Sequence, residues 1–211
     1  MVCIVSTQTL PIRLTMPAPT APLPQEATDV RERILSVASE LFYKNGVRAI
    51  GVDLVVDRAG VAKSSLYRHF RTKDDLIVAF LEREDVDFWA TWDGVAAQHA
   101  DAAHAELEAQ LRWIGERLGR ANYRGCPQIN VAAEFAEQDH PARLVARQHM
   151  QALRSRLTEI ARRLGATSPD ALAAQLALLV NGAFVSAELL APGEATDVLL
   201  AAMRALLATA G

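Results

Sequence analysis

Cysteine, aromatic side chains and excess positive charge are all scarce in this 211-residue chain, and each shortage closes off a class of protein. Two cysteines, Cys3 and Cys126, cannot build a disulfide scaffold and fit a reducing compartment, so a cytoplasmic protein is expected. A net charge of -3 excludes a uniformly basic coat for nucleic acid, so any phosphate contact has to be local. Nothing basic precedes Arg13, which removes the charged start that a secretory signal needs. The longest uncharged stretch, residues 171–187, is shorter than the roughly 20 residues of a membrane span and contains Gln175, Asn181, Gly182 and Ser186. A membrane is therefore not expected. No segment alternates β-branched and polar residues between turn pairs, which argues against strands.

Half of the residues are apolar, enough to bury a core, and from Thr28 onward their spacing is helical. Before that point the chain is rich in proline (Pro11, Pro17, Pro19, Pro22, Pro24), so residues 1–27 read as a disordered tail. Met16, just ahead of Pro17, is an alternative translation start to Met1. Ile34, Leu35, Ala38, Leu41 and Phe42 share one face of a helix that starts near Asp29, with Glu32 completing a capping box, and stops at Asn45-Gly46. A short second helix is expected over Val52 to Ala59, a turn at Gly60, and a third helix over Lys63 to Phe70. Thr72 and Asp75 form a capping pair that opens a long fourth helix, with Trp89 and Trp92 towards its end. Leu107, Leu111, Ile114 and Leu118 mark a fifth. A sixth runs from Pro127 to about Glu137, and the last three are expected over 142–164, 169–190 and 194–209. The fold expected is all-α.

Charge is unevenly placed along this array. Between Thr28 and Asp75 nine basic residues stand against seven acidic ones, and five of the nine fall between Arg58 and Lys73. Around the third helix, Val61, Leu66 and Phe70 can pack inward while Lys63, Ser64, Ser65, Tyr67, Arg68 and His69 form a polar face beside a helix N-terminus. A short helix with that face, held by a preceding helix and a glycine turn, is the helix-turn-helix solution to reading a major groove. The competing reading is a merely solvated face on a helical hairpin.

From about Thr28 to Ala210 the chain resembles the TetR family of bacterial transcriptional regulators, most strongly from Arg31 to Leu81, through Leu66-Tyr67-Arg68-His69-Phe70 and Lys73-Asp74-Asp75-Leu76. The resemblance implies a three-helix DNA-binding unit over 28–75 and a helical effector-binding and dimerisation unit over 76–211. It implies that Lys63, Ser64, Ser65 and Tyr67 face the major groove of a double-stranded DNA operator while Arg68, His69 and Lys73 hold phosphates. Two departures stand out: Gly51 occupies the place of a capping threonine, and Val56 that of a small residue. The resemblance also implies a homodimer through the helices near 142–164 and 169–190, reading a palindrome, and release by a small-molecule effector. Trp89, Trp92, Trp113, Tyr123, Asn130, Glu134 and Phe135 are the expected pocket lining.

Rival chemistries find weaker footing. Glu137-Gln138-Asp139-His140 and Asp101-Ala102-Ala103-His104 have the spacing of bundle metal ligands but lack the further carboxylates, so no metal and no cofactor is expected. Cys126 has no adjacent lysine or histidine in sequence to activate it. No residue set suggests catalysis. The alternative function is an all-α small-molecule carrier or metal-bundle enzyme with a merely structural helix-turn-helix.

Overall fold

Residues 30–191 and 193–210 are described by the computed structural model; the proline-rich segment, Cys3, Met16 and the Asp29 cap lie outside them. Helix α1 (Val30–Asn45) buries Ile34, Leu35, Ala38 and Phe42. It ends where Gly46 takes φ +85°, with its N–H donating to the Phe42 carbonyl at 2.9 Å. Helix α2 (Val52–Ala59) closes on Gly60, whose left-handed backbone turns the chain into α3 (Lys63–His69). Extended Phe70 stops α3 and buries its ring. Thr72 and Asp75 then cap α4 (Lys73–Gln98) reciprocally, each accepting from the other's N–H at 3.0 Å. These are the turn and cap residues the sequence supplies for those purposes.

The remaining helices are α5 (Ala103–Leu118), α6 (Pro127–Glu134), α7 (Pro141–Arg163), α8 (Pro169–Ser186) and α9 (Glu194–Ala208), with one 3-10 turn, Ala187–Leu189, after α8. Prolines open α6, α7 and α8, where the missing N–H costs no helical bond. No strand occurs among the described residues. Helices α5 and α9 cross so closely that a Cβ on Gly115 would lie 2.6 Å from the Thr196 Cα.

Two ends differ from the periodicity. Helix α6 stops at Glu134 rather than near Glu137: the Arg143 guanidinium donates to the Phe135 carbonyl at 2.8 Å, and the Phe135 ring stacks on His140 at 3.7 Å. Helix α8 ends at Ser186 and tightens into the 3-10 turn, four residues before Leu190.

Two apolar cores organise the helices. The first joins α1, α2 and α3 to the opening of α4 through Ile34, Phe42, Leu66, Phe70, Leu76, Phe80 and Leu81, with Val131 and Ala142 contributed from α6 and α7. The second takes over from Phe88 and Trp92 and gathers α5, α7, α8 and α9. The seam between cores thus falls inside α4, and that helix is common to both.

Candidate nucleic-acid interface and effector region

On α3, Leu66 is fully buried, whereas Lys63, Ser64, Tyr67, Arg68 and His69 are exposed and Ser65 is half-buried. The short helix therefore presents one polar face outward with its apolar face fixed below. Lys63 reaches back to α2 and pairs with Asp53 at 2.6 Å, whose hydrogen bond and charge raise the lysine above its ordinary pKa. Both partners are exposed, so the pair orients the helix more than it stabilises it. Arg68 donates to the Ser65 hydroxyl at 2.9 Å, holding the guanidinium along the helix surface. Lys73, the first residue of α4, is half-buried against the α6–α7 connection; desolvation lowers its pKa against the opposing pull of Asp74 and Glu134. At Gly51 the α2 N-terminus has no side-chain cap, and a Cβ there would meet nothing within 4 Å.

This three-helix head is tied to the rest of the chain at both ends of α6. At its last residue, the Glu134 carboxylate accepts from the backbone N–H groups of Val47 (3.0 Å) and Arg48 (2.8 Å), and the Arg48 side chain donates to the Glu134 carbonyl at 3.1 Å. Ahead of its N-terminus, the Tyr43 hydroxyl donates to the Gly125 carbonyl at 3.2 Å and accepts from the Arg124 N–H at 2.9 Å. Asn130 donates to the Arg124 carbonyl at 2.7 Å and so braces that turn. The structure thus places Glu134, Asn130 and Phe135 at the junction between head and body, apart from the tryptophans.

Trp89, Trp92 and Trp113 do come together, around Phe88: their ring centroids lie 4.9, 6.3 and 5.0 Å from it. Trp92 is core, with its carbonyl accepting from buried Gln110 at 2.9 Å, while Trp89 and Trp113 are half-buried. Tyr123 donates to the Phe184 carbonyl at 3.1 Å, and burial pushes its phenol pKa up.

Against the same Phe88 lies a polar cluster that the sequence reading passed over. His149 Nδ1 is 2.7 Å from Asp85 Oδ1, and Gln128 donates to that same oxygen at 2.7 Å and to the Leu81 carbonyl at 3.0 Å. Burial by itself pulls His149 down, but the Asp85 hydrogen bond, the Asp85 charge and the proximity of Cys126 outweigh it and hold the imidazole at about 9. His149 is thus imidazolium at neutral pH. A signal for it existed: Ala142, Ala146, His149, Leu153 and Leu157 form one buried stripe on α7, and a histidine in an apolar stripe has to be satisfied.

His140, the metal look-alike, serves as the α7 N-cap, its Nδ1 accepting from the Ala142 N–H at 3.2 Å. No metal-holding group of three ligands occurs among the described residues.

Comparison with known proteins points one way. Residues 34–80 match the family model described as bacterial regulatory proteins, tetR family. The head is 47% identical over 53 residues to the transcriptional activator FasR of Mycolicibacterium smegmatis, covering 25% of this chain and 24% of that protein. It is 36% identical over 64 residues to the transcriptional regulator QacR of Staphylococcus aureus, 30% of this chain and 34% of that one. The matched stretch therefore spans about a quarter and about a third of these two curated relatives. Solved structures extend the likeness over nearly the whole length. SCO4454, a TetR-family regulator from Streptomyces coelicolor, superposes with TM-score 0.80 at 28% identity, covering 86% of this chain and 95% of that one. The candidate TetR-type regulator sav143 from Streptomyces avermitilis does so with TM-score 0.74 at 32% identity, over 86% and 97%.

Proposed function

We propose that this chain, which belongs to the TetR family of bacterial transcriptional regulators and carries its helix-turn-helix, is a cytoplasmic homodimeric repressor that a small molecule releases from a palindromic operator. In this reading residues 28–75 hold the DNA and residues 76–211 bind the effector and the second subunit, with α4 shared between the two cores. The observation that carries it is α3: seven residues, apolar side buried, and Lys63, Ser64, Tyr67, Arg68 and His69 presented outward. Ser65 and Tyr67 join Lys63 and Ser64 in facing base edges, and Arg68, His69 and Lys73 hold phosphates.

Dimerisation is supported by α8. It is the one described helix long and apolar enough, by length and composition alone, to cross a membrane, and only 33% of it is buried in a single subunit. Leu172, Ala173, Leu176, Val180 and Phe184 face inward, while Leu178 and Val185 are 73% and 69% exposed. A Cβ on Gly182 would meet nothing within 4 Å, so a partner helix can approach closely there. An apolar face of that kind calls for a cover, and a second copy packed through α7 and α8 supplies one that also sets two recognition helices for successive major grooves, about 34–36 Å apart.

Selection of genomic fragments by the purified protein tests the reading. A palindromic site bound with a steep salt dependence is expected, and a reporter carrying it should be repressed by the protein. Absence of salt-dependent binding to any duplex, including the chain's own upstream DNA, removes it.

A further inference from the structure

We propose that the effector is a neutral aromatic molecule bearing a hydroxyl group, recognised at its head by His149 and Gln128 and held along its body between α1 and the end of α5. This deepens the regulator reading and rests on it for the ligand's purpose.

Two buried side chains are half-satisfied. His149 is 2% exposed and Gln128 1%, yet His149 Nε2 and Gln128 Oε1 have no hydrogen-bond partner among the described residues. Their other atoms converge on one oxygen, Asp85 Oδ1, which fixes both side chains. Imidazolium Nε2–H is a donor without an acceptor, and the amide oxygen an acceptor without a donor. Leaving such groups unpaired is costly, so a ligand that satisfies both gains more than one that satisfies neither. A hydroxyl can accept from His149 and donate to Gln128. A carboxylate cannot: His149 and Asp85 already neutralise each other, so it would enter as an unpaired buried charge facing the Gln128 oxygen.

Tyr43 and Tyr123 stand in the space outside, which favours a ring behind the hydroxyl, while Phe88 and Phe184 close the inner chamber itself. The free space there is about 10 Å³, room for little beyond the hydroxyl itself. Glu84 and Arg117 form its outer wall and are shared with a second cavity of about 240 Å³, which also takes in Ser39, Glu40, Tyr43, Arg120, Asn122 and Tyr123, with Glu40 already paired to Lys44. Burial raises the Glu84 carboxyl above its usual range, so this wall is less anionic than its composition suggests. Ser39 Oγ, also buried without a partner, offers one more hydrogen bond in the outer space. In the proposed pose a flat molecule lies past Glu84 and Arg117, the residues common to both cavities.

The test titrates the full-length protein by calorimetry with 2-naphthol, naphthalene and 2-naphthoate. Binding of 2-naphthol about 10- to 100-fold tighter than either analogue is expected. His149→Phe and Gln128→Met, checked for folding by thermal melting, should each remove most of that preference. Equal binding of all three probes by the wild type overturns the inference without any variant. So does a crystal grown with 2-naphthol in which an ordered water alone bridges His149 and Gln128. If no probe binds while the protein still holds its operator, the ligand class is wrong and the regulator reading stands. If 2-naphthol is preferred but no duplex is bound, the head recognition stands and the regulator reading falls.

Discussion

A carboxylate that clasps the backbone beyond a left-handed glycine gives the structure a measurable coupling between head and body. Gly46 sits at φ +85°, and a Cβ built on it would lie 2.9 Å from Glu134 Oε1. Gly46→Ala therefore does two things: it strains the backbone by about 1–2 kcal/mol, and it pushes the carboxylate off the Val47 and Arg48 N–H groups. Those two charge-assisted bonds are half-exposed and contribute about 1–2 kcal/mol together. Glu134→Ala removes the same bonds without the strain. The single variants should thus lose about 2–4 and 1–2 kcal/mol, while the double variant loses no more than Gly46→Ala alone. The coupling term is then about 1–2 kcal/mol, sub-additive, and equal to the clasp itself. Any effect of alanine on the unfolded chain occurs in both backgrounds and cancels. Urea unfolding of all four proteins at one fixed protomer concentration measures it. Additivity to within about 0.5 kcal/mol would show that the Glu134 clasp does not bear on Gly46 and would refute the reasoning.

Other expectations concern the same elements. The His149 pKa of about 9 lies above its unfolded value of 6.5, so the imidazolium stabilises the fold fully below pH 6.5 and loses that contribution as pH rises through 9. The span is worth about 3 kcal/mol, and wild type and His149→Phe should converge in urea midpoint between pH 6 and 9.5. Lys73→Ala should weaken operator and random DNA alike and lower the salt slope by about 0.9, whereas Tyr67→Ala should also blur sequence preference, both read by fluorescence anisotropy. Gly51→Thr fits the open space and the extended backbone at φ -83°, so it should add a few tenths of a kcal/mol to the melt and tighten DNA binding through a new phosphate contact. Leu178→Glu should leave the subunit folded but monomeric in sedimentation, with operator affinity lost alongside.

The head was almost wholly legible because its boundaries are written locally. Gly60 has to turn, Thr72 and Asp75 cap each other three residues apart, and Leu66 and Phe70 alternate with polar residues at helical spacing. The helices of the body followed from their apolar spacing and opening prolines for the same reason. What the sequence concealed depends on partners far along the chain. Helix α6 ends where Arg143 takes the carbonyls beyond it, and Glu134, expected in a pocket, bonds to groups 86 and 87 residues away. Asp85, Gln128 and His149 lie on three helices, and only tertiary packing puts their polar atoms on one oxygen. The six polar residues of α3 were readable as a face; which of them would touch a base depends on the operator.

The two fastenings of α6 also suggest how a ligand could reach the head. Helix α4 passes from one core into the other, but a continuous 26-residue helix moves its two ends together only if something else lets go. Helix α6 is that something: Glu134 grips the turn after α1 at one end, and Tyr43 grips the turn before α6 at the other. Tyr43 and Tyr123 both line the outer cavity, and Tyr123 is bonded to Phe184 of the inner chamber. A ring inserted between them competes for the Tyr43 hydroxyl and for the space that keeps the Gly125 turn in place. Regulation needs a coupling of only about 1–3 kcal/mol, the size of the few hydrogen bonds at either fastening. Tyr43→Phe isolates this step, because it deletes both bonds of the hydroxyl while keeping the ring in the first core. It should tighten 2-naphthol binding to the free protein, which no longer has those bonds to displace, lower operator affinity in the absence of ligand, and shrink the further loss that 2-naphthol causes. An undiminished response to 2-naphthol in Tyr43→Phe would place the coupling in α4 alone.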